Sequence, residues 1–165
     1  MDYQITTIFF SKEFISLFAM TDVCDCLPHA RHYYEGRSFV KTNGRYKEIF
    51  LNDLFVSYDQ KAFLRSYCED ALKKNKIGYF FGSSPLKQKL EFEDLGTFVI
   101  DDHFLVIVFQ PYVVGGSEDG PFFVKVPFED LEGHWDSTHV LFPLLSEIVA
   151  SSRFVMPETS FYRSA

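Results

Sequence analysis

Cys24, Cys26, His29 and His32 lie close together, in the spacing C-x-C-x2-H-x2-H. Thiolate sulfur and imidazole nitrogen are both zinc ligands, and one local loop could wrap a single ion. The same residues allow a nucleophilic reading, with Cys24 or Cys26 as the attacking thiolate and His29 or His32 as its base. The spacing is that of no standard zinc finger, and no Asp or Asn can be singled out to orient the imidazole. Two small, partly buried thiols beside two surface histidines account for the pattern more simply. His134 and His139 flank Trp135 and Asp136, a set able to move protons; a loop before a C-terminal helix is the simpler reading. Gly115-Gly116-Ser117-Glu118-Asp119-Gly120 is glycine-rich, but no Lys-Ser/Thr follows it and its two acids would repel phosphate. It reads as a flexible polar loop, beside aromatic strands, where a partner could be touched. We therefore expect no catalytic group, no metal and no cofactor.

The chain that must position these groups has 165 residues, the size of one domain. Apolar residues make up 47%, which excludes a disordered chain. Aromatic residues reach 18%, with 20 Phe and 9 Tyr, and such side chains favour sheet faces, cores and binding surfaces. Most of the Phe are expected in the core, whereas Tyr33, Tyr34, Trp135 and Tyr162 are types that also anchor interfaces. No apolar run approaches the ~18 residues of a membrane span, and Met1-Asp2-Tyr3 lacks a basic signal-peptide start. Three cysteines, an odd number, fit a reducing compartment. We expect a cytoplasmic protein with no membrane partner.

A net charge of −7 argues against nucleic acid, whose binders need Lys and Arg to displace counterions. The charge is uneven. Residues 31–90 carry 12 Lys and Arg against 6 Asp and Glu, while residues 91–132 carry one Lys against 10 acids. Either the two halves neutralise each other on a solvated surface, or the acidic stretch steers a basic partner.

Alternation predicts strands over residues 3–10, 13–21 and 32–41, with Gly36 marking a bulge. Asn43-Gly44 predicts a tight hairpin, since both central residues of a type I′ turn need positive φ, and 45–50 is the return strand. Residues 51–55 read as a short apolar turn. Ser57 and Gln60 have capping-box spacing, and Phe63, Leu64, Tyr67, Cys68, Ala71 and Leu72 form an apolar stripe at helical period. A second short helix is expected over 86–94. Strands follow over 97–100, 103–109 and 121–126, and the continuously apolar Val106-Ile107-Val108-Phe109 predicts cover on both faces. Helical spacing returns from Val140 to Val149, and 151–165 reads as an irregular tail. The expectation is a single α+β domain over 1–150, a mainly antiparallel sheet packed against one long helix and a C-terminal helix.

The segment Phe98…Phe104…Phe109-Gln110-Pro111-Tyr112…Gly115…Gly120-Pro121…Val126-Pro127-Phe128-Glu129-Asp130-Leu131 resembles the C-terminal module of the RsiV-like extracytoplasmic domains. There a strand ends in Pro-Tyr, a glycine-containing loop follows, and the next strand runs into a Pro-aromatic turn. Gly44…Leu51-Asn52-Asp53-Leu54-Phe55 is similar to their segment upstream, and 14–30, with His29, to the strand and loop before that. The resemblance covers about residues 13–131 and rests on structural motifs. It implies a binding fold: the best-known relative is an anti-sigma factor whose outer domain binds lysozyme, and similar domains accompany some cell-wall polysaccharide deacetylases. In physical terms, Tyr112 can pack its ring and direct its hydroxyl to the backbone, and Asp53 can accept backbone N–H groups near the following helix.

These readings converge on a non-catalytic protein-binding module, an inhibitor or immunity protein that neutralises a basic toxin or enzyme. Its expected contacts are Asp101, Asp102, Tyr112, Glu118, Asp119, Glu129 and Asp130. A cell-envelope domain binding lysozyme or peptidoglycan, and a metal or cysteine hydrolase built on Cys24, Cys26, His29 and His32, are the alternatives.

Overall fold

In a computed structural model, which describes residues 2–23, 31–75, 77, 89–101, 103–110, 113–115 and 121–145, the N-terminal alternation becomes a four-stranded antiparallel meander. Its strands are β1 (Asp2–Phe10), β2 (Phe14–Val23), β3 (Arg31–Thr42) and β4 (Arg45–Ile49). Ser11 closes the first turn, its Oγ accepting the Phe14 amide at 3.0 Å. Asn43 and Gly44, with φ of 53° and 78°, make the expected β3–β4 turn.

Two helices follow, α1 (Leu51–Leu54), where a turn was expected, and α2 (Tyr58–Lys74). The predicted capping box starts α2: Ser57 Oγ accepts the Gln60 amide, and Gln60 Oε1 accepts the Ser57 amide. Leu64, Cys68 and Leu72 recur every fourth residue and are fully buried. Of the second helix expected over 86–94, residues 86–88 lie outside the described residues, and the rest holds a 3-10 turn at Phe92–Leu95. Then β5 (Thr97–Asp101), β6 (Phe104–Phe109) and β7 (Phe122–Pro127) form a second antiparallel meander. The fold is α+β, with two antiparallel sheets where one was expected. A helical turn at 142–145 is the described part of the expected C-terminal helix; 146–165 lie outside the described residues.

The second sheet is the middle layer. Leu105, Ile107 and Phe109, with Phe98, Ile100, Val124 and Val126, join the core that holds the buried face of α2. Val106, Val108, Val99 and Phe123 point the other way and pack on Ile8 and Phe18 of the first sheet. The expectation that β6 is covered on both faces holds.

Polar side chains seam the sheets together. β4 pairs only with residues 38–42 of β3, so among the described residues the N-terminal half of β3 has no strand neighbour on that side. Gln110 takes the strand's place at Tyr34, accepting its amide at 3.0 Å and donating to its carbonyl. Thr97 Oγ1 accepts the Gly36 amide at 2.8 Å. The buried hydroxyls of Ser16 and Ser38 meet at 3.1 Å, and Ser16 accepts the Ile100 amide. Gly36 is not a bulge: β2 and β3 pair in unbroken register through it. A Cβ there would lie 2.3 Å from the Phe98 carbonyl oxygen, so the glycine permits backbone to approach backbone. The bulge falls between Thr7 and Phe9, where it turns both Ile8 and Phe9 into the core.

Candidate functional site

Of the residues singled out for chemistry, Cys24, Cys26 and His29 lie outside the described residues. His32 is exposed near the end of the β2–β3 hairpin, its Nδ1 2.5 Å from Asp22 Oδ1. The third cysteine, Cys68, is fully buried in α2, and burial raises its thiol pKa, which leaves it an unreactive core residue. Asp102, Tyr112, Glu118 and Asp119 also lie outside the described residues. Asp101 is buried, with Lys125 Nζ 4.0 Å from its carboxylate, so it does not present an open acid to a partner. Glu129 and Asp130 are exposed, in the turn that follows β7. Tyr67 of α2 donates its hydroxyl to Asp130 at 3.0 Å; burial and this contact push the phenol up to about 12. One residue further into the same turn, Leu131 is buried, and the His134 ring stacks on Phe63 with centroids 3.7 Å apart. The acidic turn is thus pinned to α2, and it adds the exposed Glu132. Elsewhere in the acidic stretch Glu91 faces Arg65 and Lys89, the mutual neutralisation that charge patterning allowed.

The anchor types divide. Trp135 is buried between Phe128 and Phe142, and its indole N–H has no hydrogen-bond partner among the described residues. Tyr34 is half-buried and stacks on Phe18; burial, then nearby Asp22, raises its pKa. Tyr33 points to the opposite face and is exposed. Tyr162 lies outside the described residues.

That opposite face gathers several of the exposed large hydrophobic side chains among the described residues. Residues paired across strands share a face. The register therefore sets Tyr3, Thr21 and Tyr33 in one row and Ile5, Ala19 and Glu35 in the next. Thr7, Leu17 and Arg37 follow, then Phe10, Ile15 and Phe39. Tyr46, opposite Lys41, continues the face onto β4. Tyr3, Ile5, Phe10, Tyr33 and Tyr46 are 54%, 58%, 69%, 50% and 44% exposed, although each is of a type that folding usually buries. Arg37 braces the centre. It donates Nε and an Nη to the two carboxylate oxygens of Glu48, at 2.8 and 2.7 Å, and its guanidinium lies 5.3 Å from the Phe39 ring. The pairing raises the Arg37 pKa and holds Glu48 below the usual carboxylate range. Sequence reasoning singled out Tyr33 but missed the face. The signal was the apolar residue at alternate positions 3 and 5 of a predicted strand, but alternation does not say which side is covered.

A cleft of ≈ 400 Å³ lies between the β3–β4 hairpin, α1 and the 139–140 turn, lined by Val40, Ile49, Val56 and Val140 with Lys47, Asp53 and His139 among the polar residues. Asp53 Oδ2 accepts the Phe50 amide, so the expected cap serves α1 itself. His139 Nδ1 accepts the Leu141 amide at 3.3 Å, which leaves the proton on Nε2. Burial lowers its pKa, which favours the neutral ring, whose Nε2–H is a hydrogen-bond donor. Among the described residues no hydroxyl or thiol is hydrogen-bonded to the ring of His32, His134 or His139, and no group of three His, Cys, Asp or Glu is placed to hold a metal.

A two-sheet α+β domain, with its second sheet sandwiched between a helix and the first sheet, defines the structural class. Residues 48–129, from β4 through β7, match the family described as "Protein of unknown function (DUF3298)". A solved member of that family from Bacteroides fragilis has a TM-score of 0.66 at 17% identity, over 90% of this chain and 57% of its own. A solved family protein from Pseudomonas aeruginosa has a TM-score of 0.62 at 12% identity, over 79% of this chain and 59% of its own. The chain thus spans under two thirds of the length of the solved structures it is similar to, and these matches speak for the fold. No curated protein matches it in sequence.

Proposed function

We propose that this chain is a non-catalytic protein-binding module that receives its partner on the outer face of the first sheet. The observation that carries this reading is the row of exposed aromatic and aliphatic side chains, Tyr3, Ile5, Phe10, Tyr33 and Tyr46, on one braced sheet surface. Tyrosine suits this work, because a large rigid ring gives contact area at little entropic cost and keeps a polar tip. The partner we favour is an enzyme that the chain inhibits, a toxin in the immunity-protein sense. The exposed Glu129, Asp130 and Glu132 turn supports a basic partner by steering its approach. An exported domain binding lysozyme or peptidoglycan is the second reading, supported by the sequence resemblance and by the same aromatic face, which can also stack on sugar rings.

The test is an affinity pull-down from the native cell at low and high salt, with Tyr33→Ala and Tyr46→Ala as variants. Capture of one protein partner is expected, with each substitution weakening it about 30-fold, the effect of removing an interface hot spot. Both variants should fold as wild type, Tyr33→Ala with stability changed by no more than about 0.5 kcal/mol and Tyr46→Ala, which loses a hydroxyl bond to the Lys12 carbonyl, by about 1 kcal/mol. Retention only on cell-wall material or lysozyme supports the second reading. Undiminished binding by both variants overturns the face.

A further inference from the structure

An edge strand exposes unpaired N–H and C=O groups, and natural proteins guard such edges with charge, proline, bulges or short length. Most edges here are guarded. β4 is five residues long and carries Arg45, Lys47 and Glu48. β7 carries the exposed Lys125 and ends at Pro127. β5 packs beside the first sheet, where Ser16 accepts its Ile100 amide. The half-edge of β3 is sealed by Gln110 and Thr97. β1 differs. It runs nine residues, has no proline, and carries no ionisable acid or base from Gln4 to Phe10. Every residue from Tyr3 to Thr7 is exposed, and the bulge begins only after Thr7.

We infer that β1 is a strand-addition site and that its occupant is β1 of a second copy, giving a two-fold dimer with one continuous eight-stranded sheet. Antiparallel self-pairing sets each residue opposite one on the same face. The outer-side residues Tyr3, Ile5 and Thr7 therefore pair among themselves, and so do the inner-side residues Gln4 and Thr6. No like charges oppose each other there, whereas β4 paired with itself would set Arg45, Lys47 and Glu48 near one another. A chain with a net charge of −7 repels its copy over much of its surface, and β1 is a stretch where that repulsion is least. The strand that fits an uncharged, alternating edge is itself an uncharged, alternating strand, and β1 supplies it. The inference does not depend on the proposed function: it concerns the edge of β1, while the partner reading is tested at Tyr33 and Tyr46.

The test is sedimentation velocity on the full chain across the micromolar range, for wild type, Thr6→Lys and Gln4→Lys. Both substituted positions are exposed and lie on the inner side, away from the aromatic face. A reversible wild-type dimer is expected. Each lysine variant should weaken it at least about tenfold, because the two copies of the lysine come opposite or diagonal to each other across the pair and lysine blocks edge pairing, with thermal unfolding unchanged. Tyr33→Ala should leave dimerisation as it was. A wild-type monomer throughout the range overturns the inference, as does a dimer that both lysine variants leave intact. A dimer that Tyr33→Ala dissolves also overturns it, since the contact would then run through the face.

Discussion

In β6 every side chain from Leu105 to Phe109 is buried; in β1 every side chain from Tyr3 to Thr7 is exposed. Both stretches are uncharged and suited to strands, so propensity does not separate them. Position in the layers does. β6 is the central strand of a sheet that has the α2 core on one side and the first sheet on the other. The strand β1 is an outer strand, and its first half extends past the cover that β5 gives. One sheet is committed to holding the domain together. The other lends its inner face to that task and leaves the side chains Tyr3, Ile5, Phe10, Tyr33 and Tyr46 of its outer face exposed.

The sharpest way to break this comparison uses the same substitution in both sheets. Ile107→Ala should cost about 2–5 kcal/mol, from lost burial and the cavity left behind. Ile5→Ala should change stability by no more than about 0.5 kcal/mol. Chemical denaturation reads both, and comparable losses would mean that the first sheet also carries a core on its outer side. Next comes the contact that lets the sheets meet. Gly36→Ala forces a Cβ against the Phe98 carbonyl, where only backbone movement can make room, and should cost roughly 2–3 kcal/mol. Gln110→Ala is expected to cost about 1–3 kcal/mol, since it strips both the N–H and the C=O of Tyr34 of their partner. Amide exchange should speed up at Tyr34 while the β3–β4 turn stays protected. If exchange there does not change, Gln110 is not the stand-in strand.

How far the sequence was legible follows from the same contrast. Features set by neighbours along the chain were readable: the Asn43-Gly44 turn, the Ser57–Gln60 cap, the buried stripe of α2 and the two-sided cover of β6. Features set across long sequence separations were not. Gly36 reads locally as a bulge, and only the approach of Phe98, 62 positions on, gives its reason. Gln110 was read only within a strand-ending turn, because its role depends on a β4 too short to cover β3. Splitting one sheet into two is likewise a matter of which strands pair. For the site, composition pointed to acids, and Glu129 and Asp130 are indeed exposed, but Asp101 is taken by Lys125. The aromatic face needed register before its residues could be set side by side.

The smallest effect tests how firmly the hairpin of the first sheet is tied to the C-terminal turn. His139 lines the cleft opposite Lys47 of β4, and burial, with Lys47 adding to it, holds its pKa below the ordinary 6.5 despite the pull of Asp53 and Asp136. The unfolded chain therefore takes up this proton first as pH falls. It binds more protons than the folded chain between the folded pKa and 6.5, and stability falls as pH drops through that window. Above 6.5 the contribution is fully present. Wild type should lose more stability than His139→Gln between about pH 7.5 and about pH 5.5, a window set by the ordinary pKa of the ring. Glu48 and Asp136, both held low, titrate below this range and do not blur the comparison. The effect is modest because the ring is only partly shielded from solvent. Equal pH dependence in the two proteins would mean that the turn opens readily in the native state, leaving the β4 end of the first sheet unsupported from that side.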